Sequence, residues 1–178
     1  MIQEVMKEIN QVMAQVDETQ LQRILPLFTH KRRIFVRGAG RSGFQAKGFA
    51  MRLMHLGYEV YVLGETITPS VKEEDLFIAI SGSGTTRGVL MDAISAKEKG
   101  LTLLVFTSNR QSELAQIADA LVVIPGATKT GSGIESIQLL SSLFDQTLHI
   151  TLDVLCLMLS RQQSVAKDEI LQAHVNIE

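Results

Sequence analysis

Two short stretches combine hydroxyl side chains with glycine in a way that could hold an anion: SGSGTT at 81 to 86 and GAGRSG at 38 to 43. Each follows a short apolar run, DLFIAI and RIFVR respectively, and each precedes a helical pattern, so each reads as a strand-to-helix turn. A helix N-terminus offers unpaired backbone N–H groups and a partial positive charge, and glycine lets a ligand approach the backbone. Ser81, Ser83, Thr85 and Thr86 add hydroxyls around Gly82, while Gly40, Arg41 and Ser42 of the other turn face the opposite end of a ligand. The set suits a small molecule carrying both phosphate and hydroxyl groups. Neither turn has the Gly-Lys-Ser/Thr of a nucleoside triphosphate loop.

Two other readings use the same residues. Serine and glycine after a strand serve as turn and N-cap residues with no ligand at all. Gly38, Gly40 and Gly43 also satisfy G-x-G-x-x-G, with Glu65 about 20 residues on where a dinucleotide ribose would want a carboxylate. The second hydroxyl-rich turn would have no task in that arrangement. A carboxylate, Asp145, lies inside the apolar stretch IQLLSSLFDQTLHITLDVLCLMLS at 137 to 160. Burial there would raise its pKa and suit it to moving protons to and from carbon. Equally, Gln138, Ser142, Asp145, His149 and Asp153 are spaced by three or four and can form a polar stripe facing solvent or an interface. His149, one turn beyond Asp145, is placed to tune it or to pair with it. His30, His55, His149 and His174 show no metal-ligand spacing, and no serine sits in a G-x-S-x-G elbow.

These groups need a scaffold, and the order of elements supplies one. Two helices within about residues 2 to 27 open the chain, the second with Asp17 and Gln20 at capping-box spacing. Strands follow at 33 to 37, 59 to 63, 76 to 80, 101 to 106 and 120 to 124. Helices are expected at about 42 to 56, 86 to 99, 112 to 118 and 135 to 160, with only a turn or brief helix between 64 and 75. Runs such as LFIAI and LTLLVF do not alternate, as befits parallel strands covered on both faces. The fold class is α/β, a three-layer α/β/α sandwich on a five-stranded parallel sheet of flavodoxin-like order 2-1-3-4-5. In that order the turns after strands 1 and 3 open onto one crevice at the topological switch point. One domain spans 1 to 178, with a C-terminal tail from about 164 packing on it or on a neighbouring subunit.

With 46% hydrophobic residues, 20% charged residues and a formal net charge of −2, the composition has no basic footprint for nucleic acid. Cys156 is the only cysteine, so no disulfide framework forms within the chain. Asp145, His149 and Asp153 make the apolar stretch costly in a bilayer, and the acidic N-terminus is unlike a secretory signal. A cytoplasmic protein with no membrane span is expected.

Over nearly its full length, through GAGRSG, AKGFAMRLMHLG, LGETITP, SGSGTT, SIQLLSSLFDQTL and HVNIE, the chain resembles the sugar isomerase (SIS) domain family, and within it the 6-phospho-3-hexuloisomerases. The resemblance implies an isomerase interconverting 3-hexulose 6-phosphate and fructose 6-phosphate, a homotetramer, no metal or cofactor, and a hexulose-phosphate synthase as functional partner. It implies Asp145 as the catalytic base in place of a family Glu, and His55 and His174 as proton shuttles. It also implies that the tail and the helix after strand 1 approach a neighbouring subunit's site. The chain departs from the family at Thr85, where Glu is usual in the turn, and in LLSSLFDQ, where PMGSLFEQ is usual. Another phosphosugar isomerase, or a sugar-phosphate sensor without catalysis, would use the same scaffold.

Overall fold

Leu76–Ile80, a run without alternation in the sequence, is buried at all five positions because helices cover both faces of its sheet. The computed structural model describes residues 1–129, 131, 133–163, 171–174 and 177. Its five strands, β1 (Ile34–Gly38), β2 (Val60–Val62), β3 (Leu76–Ile80), β4 (Thr102–Thr107) and β5 (Ala120–Val123), are parallel in the order β2-β1-β3-β4-β5. The helices are α1 (Ile2–Met13), α2 (Glu18–Ile24), α3 (Gly40–His55), α4 (Arg87–Glu98), α5 (Glu113–Gln116) and α6 (Ser142–Gln163), with a 3-10 turn at Leu25–Leu27.

Alternate residues of each strand feed separate cores. Ile34, Val36, Ile78, Ile80, Leu104 and Phe106 pack with α1, α2, α3 and α6. Phe35, Phe77, Ala79, Leu103 and Val105 pack with α4 and α5 on the other face. The three-layer sandwich and its strand order are therefore those expected.

Element ends moved where tertiary contacts outweighed local pattern. Arg33 does not open β1 as expected; its Nε and terminal nitrogen clasp Asp75 at 3.0 and 2.6 Å. Asp17 does cap α2, accepting from Thr19 N at 2.9 Å, but Gln20 completes no capping box. Its side chain instead accepts from Val123 N at 2.8 Å, joining α2 to β5. Residues 63 to 75 form turns without a helix.

The largest difference is at α6, which starts at Ser142 rather than near 135. Glu8 of α1 captures the residues before it, accepting from Ser136 Oγ at 2.7 Å, Ile137 N at 2.8 Å and Gln138 Nε2 at 3.2 Å. Leu140 then adopts φ 57, which no α-helix accommodates. Once begun, α6 runs parallel to α3 on the same face of the sheet, through Ser42 to Asp145, Gln45 to His149 and Arg52 to Asp153. α6 is the one helix among the described residues long and apolar enough to cross a membrane, yet 56% of its most apolar stretch is buried in the fold.

The three hydrogen bonds hold the Glu8 carboxyl below the usual carboxylate range, Ser136 contributing most. A depressed carboxyl stabilises the fold above its unfolded pKa and loses that contribution as pH falls through the folded value. Glu8→Gln should therefore cost about 1 kcal/mol or less at neutral pH, since solvent screens this partly exposed group. In thermal melts across pH, the gap between wild type and variant should close on acidification. A constant gap would show that Glu8 acts by packing alone.

Candidate active site

Gly38 at the end of β1 lies opposite Ile80 at the end of β3, so the chain leaves these neighbouring strands beside one crevice. α3 and α4 start there on opposite faces of the sheet. Neither helix has a side-chain cap and neither has an acid in its first turn. By contrast α2 and α5 are capped by Asp17 and Ser112 and begin with Glu18 and Glu113. The N-terminal donors and positive ends of α3 and α4 thus stay available to an anion. Between them lies a cleft of about 190 Å³ lined by Gly40, Arg41, Ser42, Gly82, Ser83 and Thr86, and further by Ala39, Thr128, Lys129 and Ser141.

Within the second turn the hydroxyls divide their work. Ser81 is buried beneath the cleft rather than lining it, bonded to Thr86 Oγ1 at 2.9 Å and accepting from Gly84 N at 3.1 Å. It shapes the turn. Ser83 lines the cleft and accepts from Thr85 N and Oγ1 at 3.3 and 3.1 Å. Thr85 is exposed and is not part of the lining. Gly84, at φ +67, passes so close to Ser112 that a β-carbon would collide with its side chain, so this turn needs glycine on both counts.

Asp145, in the first turn of α6, is 5% exposed. Ser42 Oγ donates to Oδ1 at 3.1 Å, Ser141 Oγ to Oδ2 at 3.3 Å, and Arg41 Nε lies 3.0 Å from Oδ2. Arg41 also donates to Ser142 Oγ at 3.0 Å and to Ser141 Oγ at 3.2 Å. Burial pushes the carboxyl above the usual range, and Arg41 and the two serines pull the other way without prevailing. The carboxylate faces an adjoining groove of about 450 Å³, lined by Phe44, Gln45, Gln146 and His149, which meets the cleft at Arg41. A buried carboxylate beside an anion cleft, with hydroxyl donors around it, can abstract and return a proton.

His55 and His174 lie elsewhere within this chain. His55 ends α3, about 22 Å along the helix from the cleft. His174 stacks on it with ring centres 5.3 Å apart. His149 is exposed and turns to Gln45 at 3.1 Å and Asp153 at 3.7 Å instead of to Asp145. The polar stripe is thus split, since Asp145 is buried while His149 and Asp153 face solvent. Glu65, the residue spaced for a ribose, pairs with Lys47 at 3.2 Å. Among the described residues no three His, Cys, Asp or Glu side chains gather in a way that could hold a metal ion. The Cys156 thiol is buried and pushed up to about 12. Of the expected tail, residues 164–170, 175, 176 and 178 lie outside the described residues.

Thr128, Lys129 and Ser141 escaped the sequence reading. The first two belong to PGATKTGSG, whose Gly/Thr/Ser composition signals only a loop. Its position after an edge strand gave no hint that it returns to the centre of the sheet.

The SIS domain model matches residues 27–151. The chain belongs to the SIS domain family. It is 41% identical to a 3-hexulose-6-phosphate isomerase of Mycobacterium gastri, over 96% of this chain and 86% of the relative. It is 34% identical to a 3-hexulose-6-phosphate isomerase of Bacillus subtilis, over 99% and 97% of the two chains. A Methanococcus jannaschii protein, whose crystal structure led to an inferred 3-hexulose-6-phosphate isomerase function, superposes with a TM-score of 0.86. That match has 29% identity and covers 99% of this chain and 98% of the other.

In this SIS domain His174 of the 171–174 segment stacks on His55, so the charge state of His55 should bear on how that segment packs. Burial lowers the His55 pKa first, with His174 and Arg52 adding repulsion to the charged form. The unfolded form therefore binds more protons, and the contribution to stability present above the ordinary histidine pKa is lost as pH falls toward the lowered one. Amide exchange at 171–174, corrected for intrinsic rate, should accelerate as pH falls through and below the ordinary histidine range. His55→Gln should flatten that response; an equally steep response in the variant would place its origin elsewhere.

Proposed function

We propose that this SIS domain is a phosphosugar isomerase interconverting 3-hexulose 6-phosphate and fructose 6-phosphate. The observation that carries the reading is the buried Asp145 carboxylate at the junction of its groove with a cleft between two uncapped helix N-termini. The names of the Mycobacterium gastri and Bacillus subtilis relatives support the choice of sugar.

In this reading the phosphate occupies the cleft against Gly82, Ser83, Thr86 and the first turns of α3 and α4, and the sugar carbons extend toward Arg41. The Asp145 carboxylate takes the proton from C2 of the 3-ketose, and the electron pair of that C–H bond forms the C2–C3 double bond of an enediol. Asp145 then returns the proton to C3. The hydroxyl at C2 gives up its proton as its carbonyl forms, and the oxygen at C3 gains one. Arg41, beside Asp145, has further N–H donors for the enediol oxygens, while Ser42 and Ser141 give their single hydroxyl protons to the carboxylate and orient it. A carboxyl raised by burial is, once ionised, a stronger base than a solvated one.

Assembly and location belong to the same proposal. Phe44, Met51 and Leu157, each at least half exposed, border successive stretches of the groove between α3 and α6. An exposed apolar face of this kind suits a subunit interface. We read the assembly as a homotetramer in which His55 and His174 act at a neighbour's cleft, in the cytoplasm, supplied by a hexulose-phosphate synthase.

Asp145→Asn should lower kcat by roughly 10²- to 10⁴-fold, with binding of fructose 6-phosphate little changed. The assay is formation of fructose 6-phosphate from 3-hexulose 6-phosphate by the purified protein. The acid limb of the wild-type rate profile should lie above the ordinary aspartate range, because the base must be ionised and burial raises its pKa. Wild-type protein that binds the sugar phosphate but never turns it over is a sensor instead. Light scattering of wild type and Phe44→Glu tests the assembly: the variant should fall to smaller species. If both run as monomers, the interface reading is wrong.

A further inference from the structure

We propose that Lys129 is the counter-charge for the substrate's phosphate, and that it sets the preference for phosphorylated over neutral sugars. This inference rests on the reading of the cleft as a phosphosugar site.

Two cations line the cleft, and only one is uncommitted. Arg41 is engaged with Asp145, Ser141 and Ser142. Lys129 forms no ion pair among the described residues, and the residues lining the cleft include no carboxylate. A phosphate dianion held only by hydroxyls and by helix ends of about half a charge each would meet a site short of positive charge. A lysine ammonium supplies a full charge and three donors without demanding a fixed geometry.

The backbone delivers Lys129 to this position. The loop after β5 is closed at its base, where Ile134 N donates to Pro125 O at 2.8 Å. Gly126 lies flat against α6, where a β-carbon would come within 2.6 Å of Phe144 Cα; Gly133 packs equally tightly on Gly126. At the tip Gly131 N donates to Thr128 O at 3.2 Å. Thr128 is buried, and its methyl lies against Gly82 so closely that a β-carbon there would meet it at 3.0 Å. The loop is thereby seated on the phosphate turn itself, and the next residue, Lys129, lines the cleft from an exposed position. An exposed lysine at a tip contributes little to the core, so its removal leaves the fold intact.

Calorimetry with fructose 6-phosphate and with inorganic phosphate, at low and high salt, tests the assignment on wild type, Lys129→Ala and Lys129→Arg. Lys129→Ala should weaken both ligands roughly 10- to 100-fold and flatten the salt dependence. Lys129→Arg should recover most of the loss. In the isomerase assay KM should rise in step while kcat stays within a few fold, and melting temperatures should be unchanged. Equal affinities in wild type and Lys129→Ala would overturn the inference. So would a fall in kcat at constant KM, which would put the ammonium at the reacting carbons. Wild-type protein that binds neither ligand would instead overturn the phosphosugar reading of the cleft, and the inference with it.

Discussion

Gly38 lies opposite Ile80 in the parallel ladder of β1 and β3, and the site follows from that register. Parallel neighbours release their chains at the same edge of the sheet. Because β1 feeds a helix on one face and β3 a helix on the other, a crevice opens between two helix N-termini. Leaving both without side-chain caps or first-turn acids forgoes some helix stability. An anion in the cleft can make up part of that loss, which links binding to the rigidity of the two turns.

A second constraint acts through the last helix. α6 is far from α3 in sequence yet runs beside it, and its first turn holds Asp145 in the groove adjoining the crevice. An ionised carboxylate in that position is costly unless paired and hydrogen-bonded. Arg41, Ser42 and Ser141 make it tolerable, but burial still dominates its pKa. The balance matters chemically: full compensation would leave a weak base, and no compensation would leave it protonated. Arg41 is thus shared between the carboxylate and the boundary of the cleft, and in the proposed binding mode the charge facing a phosphate comes from another element.

That element is the loop after β5. Glycine at 126 lets its backbone lie against α6, glycine at 133 packs on Gly126, and Thr128 wedges the loop on Gly82. The same segment continues into 136 to 138, where Glu8 of α1 holds it by three hydrogen bonds. The N-terminal helix therefore helps to determine where α6 begins, and with it where Asp145 sits.

Most of the scaffold was legible in the sequence because it depends on local rules. LFIAI was read to the residue, since an unbroken apolar run between turn signals has few other uses in an α/β chain. The two glycine-rich turns and the buried aspartate were also visible, being unusual residue types at strand ends and in an apolar helix. Tertiary structure alone decided the rest. Gln20 completed the spacing of a capping box but met the backbone of Val123, and residues 135 to 141 read as helix, but Glu8 holds 136 to 138 ahead of α6. Ser81 and Ser83 look equivalent in SGSGTT, yet one is a buried strut and the other lines the cleft, a distinction that the turn's fold makes and its composition does not. Lys129 had no signal, because a loop's destination depends on contacts with residues distant in sequence. Local propensity and apolar periodicity are properties of a segment; which segments meet is decided by packing, and the charges around the cleft are arranged by that packing.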